Sequence, residues 1–284
     1  MAPDVKFEKW QALGNDYVIV EAKDLPWRLT PERIRRICEP HTGVGSDGVL
    51  LLSRAEDARY VADLRIFNPD GSKAELSGNG AREAVLYLRS RGWTEDDEFS
   101  VLTKAGEIRP TITGPGSAAI AIGRASVTSP DYPSGGPDGT GTVVSGGREW
   151  RFQHVSIGNP QCVINAGEDV EDLDLAAIGP GIERAELFPN RTNVSFVRID
   201  GSTVRARIFE RGVGETLSSG TGASGAAATA YLRGSASPIT VRLDGGDLVV
   251  EISDDLDVRL TGTASCVYRG ELSGDLLEDL AALA

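Results

Sequence analysis

The sequence predicts a strand-dominated α+β protein made of two domains of similar fold. Three observations support this: short β-rich runs recur along the whole chain, few segments show helical spacing, and one long motif occurs twice. With 284 residues, 40% of them hydrophobic, the chain can bury one large core or two cores of ordinary size.

The predicted strands are segments rich in β-branched and aromatic residues. Each segment is bounded by Gly, Asp, Asn or Pro, which favour turns between strands. The segments are 17–21, 48–52, 64–67, 118–122, 194–199, 204–209, 248–252 and 257–260.

Only three segments predict helices. The segment 30–38 begins with Thr30 as a typical N-cap and Pro31 at the first helical position. The segment 81–91 has apolar residues at helical spacing, and 223–232 is alanine-rich with little polar surface.

The most informative feature is an internal repeat. Arg-Ile-Phe at 65–67 recurs at 207–209, and ten residues after each Phe a serine opens Ser-Gly-X-Gly-Ala, at 77–81 and 219–223. At this offset of 142, seven of the seventeen positions from Arg65 to Ala81 are identical. A repeat at one fixed offset indicates a duplicated structural unit.

A second echo supports the duplication, because Leu-Gly-Asn at 13–15 has a counterpart in Ile-Gly-Asn 144 residues later. Two copies are too few for a solenoid, so we expect two domains facing each other across a pseudo-twofold axis, with a cleft between them. The predicted domains are 1–126 and 127–269, with the return of 270–284 to the first domain left open. The Gly-, Pro- and Ser-rich segment 128–147 is interpreted as the loop between them.

Composition argues against several classes of partner. A net charge of −13, from 42 acidic and 29 basic residues, repels nucleic-acid phosphates and anionic membranes. Residues 1–10 lack the apolar core of a signal peptide, and no segment is apolar enough to span a bilayer, so we expect a cytoplasmic protein. Cys38, Cys162 and Cys266 lack metal-ligand spacing and are interpreted as buried small hydrophobic residues.

The two Ser-Gly-X-Gly turns are the first candidates for a binding function. Each follows a predicted strand and opens a helix, where backbone N–H groups of the first turn can hold an anion such as a carboxylate. One such turn alone more often marks a serine N-cap. Their duplication favours a functional interpretation.

Polar residues near these turns suggest a lined pocket. Each asparagine taken alone is typical of an ordinary turn. Arg211, next to Glu210 after the second repeated strand, could clamp a carboxylate through two hydrogen bonds, or simply pair at the surface. The asparagines are Asn15, Asn68, Asn79, Asn159 and Asn193.

These segments resemble the motifs of the diaminopimelate epimerase family in order and spacing, over nearly the whole chain. The resemblance implies a cofactor-independent isomerase with two pseudo-symmetric halves, each a β-barrel-like sheet around a central helix. It would invert one stereocentre of diaminopimelate, for lysine and peptidoglycan precursors, and a homodimer is compatible with it. The segments are Leu13-Gly14-Asn15-Asp16-Tyr17, Phe67-Asn68-Pro69-Asp70-Gly71-Ser72, Ser77-Gly78-Asn79-Gly80-Ala81-Arg82, Gly158-Asn159-Pro160 and Glu210-Arg211-Gly212-Val213-Gly214-Glu215-Thr216.

The resemblance also exposes departures from the family pattern. Ser77 and Ser219 stand where the family has two catalytic cysteines, Gln161 replaces a histidine thought to assist the first cysteine, and Gly48 replaces a frequent glutamine. A serine hydroxyl titrates several units above a thiol, so serine is a poor base without an activating group. Glu210 is the best remaining base, although it could equally hold the substrate ammonium. Engineered replacement would explain the serines alone, whereas natural divergence explains all four changes.

The resemblance implies a role for each candidate residue. Ser77 and Ser219 would take the acid and base positions, flanked by Glu210 and Gln161. A small amino acid is the expected partner. One alternative function is a lyase or isomerase that acts on a related amino or imino acid with Glu210 as base. Another is a binding protein that catalyses no reaction. Gly78-Asn79 and Gly220-Thr221 would hold the α-carboxylate, while Asn15, Asn68, Asn159, Asn193 and Arg211 would fix the substrate's other polar groups.

Overall fold

The computed structural model describes residues 4–283. Residues 1–3 and 284, which begin and end the predicted domain ranges, lie outside the described residues. The contacts of the chain divide it into two compact units. Unit 1 holds the described residues up to Ile120 and those from Gly262 onward, and unit 2 is Ala121–Thr261.

The described residues form five α-helices and nineteen strands, together with two short 3-10 helices at Ala22–Asp24 and Gly167–Glu171. The helices are α1 (Pro31–Cys38), α2 (Gly78–Ser90), α3 (Leu175–Glu183), α4 (Gly220–Leu232) and α5 (Gly274–Ala282). The strands are β1 (Lys6–Ala12), β2 (Asn15–Glu21), β3 (Val49–Ser53), β4 (Ala62–Phe67), β5 (Lys73–Ala74), β6 (Val101–Thr103), β7 (Gly106–Ile108), β8 (Thr111–Gly114), β9 (Ser117–Arg124), β10 (Thr140–Ser145), β11 (Arg148–Ser156), β12 (Pro160–Asn165), β13 (Asn193–Asp200), β14 (Thr203–Glu210), β15 (Gly214–Thr216), β16 (Ile239–Leu243), β17 (Gly246–Ile252), β18 (Asp257–Thr263) and β19 (Ser265–Glu271).

Unit 1 is a mixed sheet around a buried helix. Its strands are hydrogen-bonded in the order β19-β1-β2-β3-β4-β6-β7, with β5 paired to β4. The pairs β2/β3 and β4/β6 are parallel, and the other pairs are antiparallel. Helix α2 packs against β1, β2, β3 and β19, and its residues 79–88 are all buried. A second core, with residues from α1, α5 and the strands, includes Ile34, Val18 and Leu280.

Unit 2 repeats this topology. Its strands follow the order β10-β11-β12-β13-β14-β16-β17-β18, with β15 paired to β14 and the parallel pairs β12/β13 and β14/β16 in the matching places. Helix α4 packs against six of these strands, and residues 222–230 are all buried because they are nearly all Ala and Gly. Each unit is thus a sheet with its own central helix, which confirms the predicted α+β class with two pseudo-symmetric parts.

The central helices begin earlier than the sequence predicted. Helix α2 starts at Gly78 rather than at 81, and α4 starts at Gly220 rather than at 223. Ser77 and Ser219 are their N-caps, since each side chain accepts a hydrogen bond from the backbone N–H of the residue three positions later. The Gly-rich motif, interpreted as a turn, is therefore the first turn of a helix. The N-cap prediction for Thr30 at α1 is confirmed.

Helices α3 and α5 were not predicted, so the expectation of only three helices was wrong. Helix α3 contains Pro180 between two glycines, and these helix-breaking residues conceal its pattern. Helix α5 follows the N-cap Ser273 with an amphipathic run of nine residues. The segment 128–147, predicted as a loop, contains strand β10 and lies wholly within unit 2. Its β-branched residues were masked by the glycines around them.

The three cysteines are free thiols. Cys38 and Cys162 are buried as predicted, whereas Cys266 lies on strand β19 and is half-buried. Burial raises the pKa of the Cys162 thiol well above its ordinary value. Among residues 4–283, no helix has both the length and the apolar character that a membrane crossing requires.

Candidate functional site

Each unit contains one serine turn: residues 77–80 form the unit 1 turn, and residues 219–222 form the unit 2 turn. Gly80 N–H donates to Ser77 Oγ at 3.1 Å, and Gly222 N–H donates to Ser219 Oγ at 3.2 Å. The backbone angles also match, with φ and ψ of −130° and 123° at Ser77 and −142° and 119° at Ser219. Both turns therefore present the N-terminus of a thirteen-residue helix, where anionic groups are stabilised.

Strand side chains lie close to a glycine in each of the two turns. A Cβ on Gly222 would lie 2.7 Å from Ile208 Cδ1, which is closer than packed carbon atoms approach. A Cβ on Gly80 would lie 3.1 Å from Leu50 Cδ2 and 3.3 Å from Tyr17 Cε2. The glycines thus let each helix begin directly against its sheet.

In unit 1, the partner of Ser77 is a tyrosine that the sequence analysis did not select. Tyr17 O–H donates to Ser77 Oγ at 3.3 Å, and Tyr17 itself is buried on strand β2. A Cβ on Gly48 would lie 2.6 Å from Tyr17 Cε1 and 2.2 Å from the Phe67 carbonyl oxygen. The ring of Tyr17 thus packs directly against Gly48. The signal for Tyr17 was its place in the quoted Leu-Gly-Asn-Asp-Tyr motif.

The other predicted residues of unit 1 divide into two groups. Asn79 belongs to the serine turn and is buried, and its Oδ1 accepts from Arg82 Nη2 at 2.5 Å. Asn15 and Asn68 instead serve local turns: Asn15 Nδ2 donates to Asp47 Oδ2 at 2.8 Å, and Asn68 Nδ2 donates to the Ser72 hydroxyl at 2.9 Å. Their side-chain amides therefore stabilise neighbouring loops by hydrogen bonds.

Buried charge lies directly behind the unit 1 turn. Arg82 Nη1 donates to the Gly78 carbonyl at 3.1 Å, so its guanidinium supports the turn from within. Burial lowers the pKa of Arg82 to about 10, and the neighbouring Glu83 opposes this. Burial raises the pKa of the Glu83 carboxyl well above its ordinary value, with Arg82 opposing and the charges of Asp16 and Asp47 adding to the rise.

In unit 2, the partner of Ser219 is a carboxylate. Glu210 ends strand β14, and its Oε1 accepts from Thr216 Oγ1 at 2.8 Å. Burial raises the pKa of Glu210, while hydrogen bonds donated by Thr216 and Ser219 hold it down. Ser219 therefore accepts from Gly222 and donates to Glu210. This arrangement directs the serine proton toward a carboxylate that can act as a base.

Amide side chains connect Gln161 to the unit 2 turn. Gln161 Nε2 donates to Asn159 Oδ1 at 2.7 Å, and Asn159 Nδ2 donates to the Thr221 hydroxyl at 3.2 Å. Gln161 is fully buried beside Gly225, whose Cβ would lie 2.9 Å from Gln161 Cβ. Within the described residues, Gln161 Oε1 has no hydrogen-bond partner. A buried acceptor of this kind is suited to a donor group of a ligand.

Sheet register places Asn193 beside Gln161 and Glu210. Asn193 pairs with Gln161 between β12 and β13, and the next residue, Val194, pairs with Phe209 of β14. Asn193 Oδ1 accepts from the backbone N–H of Arg211 at 2.9 Å. The Arg211 guanidinium is exposed and donates to the Asn190 carbonyl at 2.9 Å. Unit 2 thus brings Asn159, Gln161, Asn193, Glu210, Ser219 and Thr221 into one connected set, with Gly220 in the turn.

A separate cavity of about 610 Å³ opens at the C-terminal end of α2 in unit 1. Trp10, Arg89, Asp97 and Cys266 are among its lining residues, and none of the predicted site residues lines it. Residues 4–283 contain no group of three or more His, Cys, Asp or Glu side chains that could hold a metal ion.

Sequence comparison explains why these two turns occur together. The family model described as "Diaminopimelate epimerase" matches residues 7–128 and 153–267, which include both serine turns. This chain belongs to the diaminopimelate epimerase family. Diaminopimelate epimerase 2 of Nostoc sp. is 41% identical to it, over 96% of this chain and 97% of the relative. Diaminopimelate epimerase of Moorella thermoacetica is 38% identical, over 95% of this chain and 99% of the relative.

Solved structures share the fold of this family member. A hydroxyproline epimerase from Agrobacterium vitis has a TM-score of 0.67 at 18% identity, covering 96% of this chain and 94% of its own. A phenazine biosynthesis protein of the PhzF family from Bacillus anthracis has a TM-score of 0.66 at 20% identity, covering 95% and 99%. At such identities the likeness concerns the fold alone.

Proposed function

We propose that this protein is a cofactor-independent diaminopimelate epimerase that interconverts the LL and meso forms for lysine and peptidoglycan precursor synthesis. The observation that carries the proposal is the pair of matching serine turns, each at the start of the central helix of one unit. Relatives bearing this name, 38% and 41% identical over nearly the whole chain, support it. The division into two functional domains, one for each copy of the repeat, is part of the proposal.

The α-carboxylate would bind at helix N-termini. Inversion creates negative charge next to this carboxylate, and preorganised N–H groups stabilise such charge. We assign this role to Gly78-Asn79 and Gly220-Thr221. The remaining polar groups of the substrate would contact Asn15, Asn68, Asn159, Asn193 and Arg211.

Proton removal is assigned to Glu210 and Ser219. As the Ser219 oxygen takes the proton from Cα, its own proton passes to the Glu210 carboxylate, so that no serine alkoxide accumulates. The raised pKa of Glu210 makes it a stronger base than an ordinary glutamate. Proton delivery to the opposite face is assigned to Ser77. Gln161, with its buried Oε1, would accept a hydrogen bond from the substrate ammonium.

The unequal surroundings of the two serines favour a second candidate. A carboxylate in one half alone suits a lyase or isomerase that removes a proton from a related amino or imino acid with Glu210 as the only base. A substrate panel separates the two functions. Turnover that is abolished in Glu210→Gln and unchanged in Ser77→Ala supports the second candidate.

Solvent exchange at Cα tests the epimerase directly. LL- and meso-diaminopimelate are incubated in D₂O with the protein and with a Ser77→Cys, Ser219→Cys double variant, and deuterium at Cα is measured by mass spectrometry. We expect exchange in the protein and an increase of about 10²-fold or more in the double variant, because thiols ionise several units below hydroxyls. Ser273→Cys, at the N-cap of α5, is the matched control and should leave the rate unchanged.

Absence of exchange in both proteins would refute the epimerase. Calorimetric binding of diaminopimelate without any exchange would instead indicate a binding protein. We further propose that the enzyme is cytoplasmic and works without a cofactor. Its net charge of −13 disfavours nucleic acid and anionic membranes as partners. Light scattering of the eluting protein tests a homodimer.

A further inference from the structure

The hydrogen bond from Tyr17 to Ser77 distinguishes the two serine turns. We infer that Tyr17 is a positioning residue that orients Ser77 as the proton donor in the direction in which Ser219 removes the substrate proton, and that resupplies the donated proton. The inference rests on the proposed function, because it concerns the same reaction. It adds a residue to which neither the sequence motifs nor the proposed function assigns a role.

The first support is the set of bonds that Ser77 accepts. Its Oγ receives the Tyr17 O–H at 3.3 Å and the Gly80 N–H at 3.1 Å. A serine oxygen has two acceptor sites, so both are occupied. What Ser77 still offers to a ligand is its own O–H. Ser77 is half-buried, so this group can be reached. Ser219 is different, because its O–H donates to Glu210.

The second support is the way in which the protein holds the tyrosine ring. Tyr17 is only 5% exposed and belongs to the core that surrounds α2. Gly48 and Gly80 lie against opposite edges of the ring, 2.6 Å from Cε1 and 3.3 Å from Cε2 when measured from an added Cβ. Val18 N–H donates to the Gly48 carbonyl at 3.0 Å, which fixes that loop next to the ring. The phenol therefore has one position, pointing at Ser77.

The third support is the proton balance. When Ser77 protonates the Cα carbanion, a C–H bond forms and the serine O–H bond breaks. The Tyr17 proton then moves to Ser77 Oγ, so the negative charge ends on a phenolate, which regains a proton from solvent. A phenol ordinarily titrates near pH 10, several units below a serine hydroxyl, so the relay avoids a serine alkoxide.

A thiol probe tests the contact without any need for turnover. The pH dependence of iodoacetamide alkylation is measured at residue 77 in Ser77→Cys, in Ser77→Cys with Tyr17→Phe, and in Ser77→Cys with Tyr87→Phe. Peptide mass spectrometry confines the readout to residue 77, so that the half-buried Cys266 does not contribute. A phenol that donates to the thiolate stabilises it, so Tyr17→Phe should raise the alkylation midpoint by about one pH unit.

Tyr87→Phe is the matched control for this probe. Tyr87 lies on α2 in the same core, but its hydroxyl donates to Glu21 Oε1 at 2.8 Å rather than to Ser77. The control should leave the midpoint unchanged. Equal midpoints with and without the Tyr17 hydroxyl would overturn the inference.

Exchange rates supply the second arm. Tyr17→Phe should lower the rate of Cα exchange by about 10²-fold when residue 77 is serine, and by no more than about threefold in the Ser77→Cys background, because a thiol needs no relay. Equal losses in both backgrounds would mean a packing role and would overturn the inference. If the unaltered protein shows no exchange, the proposed function fails, and the thiol probe still decides the role of Tyr17.

Discussion

The two serine turns have the same backbone conformation but differ in the side chains around them. Their capping hydrogen bonds, from the glycine N–H to the serine Oγ, are nearly equal at 3.1 and 3.2 Å. However, Glu210 lies 142 residues after Asn68, at the same place in the repeat, and Gln161 lies 144 residues after Tyr17. In unit 1 the capping serine contacts a phenol, whereas in unit 2 it contacts a carboxylate. The two copies therefore keep the same helix start but place different side chains beside it.

The central helices differ in the same manner. Arg82 in α2 and Ser224 in α4 occupy matching positions, and both bond to the carbonyl after the capping serine, at 3.1 Å from Nη1 and 2.8 Å from Oγ. The next position is Glu83 in α2 and Gly225 in α4. Unit 1 thus holds its turn with buried charge, and unit 2 holds it with small residues.

The largest expected effect concerns unit 2. Glu210→Gln keeps the size of the side chain but removes the base, so Cα exchange should fall by about 10²- to 10⁴-fold. In the unaltered protein, the base works only when ionised, so the rate should fall as the pH drops through the raised pKa of Glu210, at a higher pH than for an ordinary glutamate. Rate-against-pH profiles in D₂O measure both effects.

Glu215→Gln is the control for that variant, because Glu215 is exposed on β15 and accepts from Arg207 Nε at 2.9 Å. It should retain the exchange rate. If Glu210→Gln exchanges as fast as this control, the assignment of proton removal to unit 2 is wrong.

The next effect concerns the buried charge behind the unit 1 turn. Because burial raises the pKa of Glu83, the folded state binds more protons than the unfolded state between a glutamate's ordinary value and the raised one. The free energy of unfolding should therefore decrease as pH rises through this range, by at most about 1.4 kcal/mol per pH unit. Glu83→Gln should remove this slope in urea unfolding, and the exposed Glu278→Gln should keep it. A slope that survives Glu83→Gln would have another origin.

The smallest effect compares the caps themselves. Loss of the cap alone should lower the free energy of unfolding by about 1 kcal/mol, as removal of an N-cap does elsewhere. Ser77→Ala and Ser219→Ala should each cost about 1 kcal/mol more than this, because Ser77 also accepts from the buried Tyr17 and Ser219 also donates to the buried Glu210. Urea unfolding beside Ser273→Ala, a cap without such a partner role, measures the difference. A loss at 219 equal to that at 273 would argue against the bond between Ser219 and Glu210.

The sequence by itself determined the duplication, the α+β class and eight of the nineteen strands, because these depend on local composition and on a repeat that needs no coordinates. It also selected Asn159, Gln161 and Glu210 of unit 2, since they stand in motifs that resemble those of the family. It missed α3, where Pro180 and its flanking glycines conceal the helix. The predicted starts of α2 and α4 were three residues too late, because a glycine-rich turn and the first turn of a helix have the same composition.

Only the tertiary structure decided what each serine contacts. Tyr17 and Ser77 lie sixty residues apart in sequence, and their contact depends on the packing of β2 against α2 around two glycines. Local patterns do not encode such a contact, since a tyrosine in a strand is typical of any core. The repeat establishes that two equivalent turns exist. Packing within each unit decides that Ser77 accepts a hydrogen bond from Tyr17, whereas Ser219 donates one to Glu210.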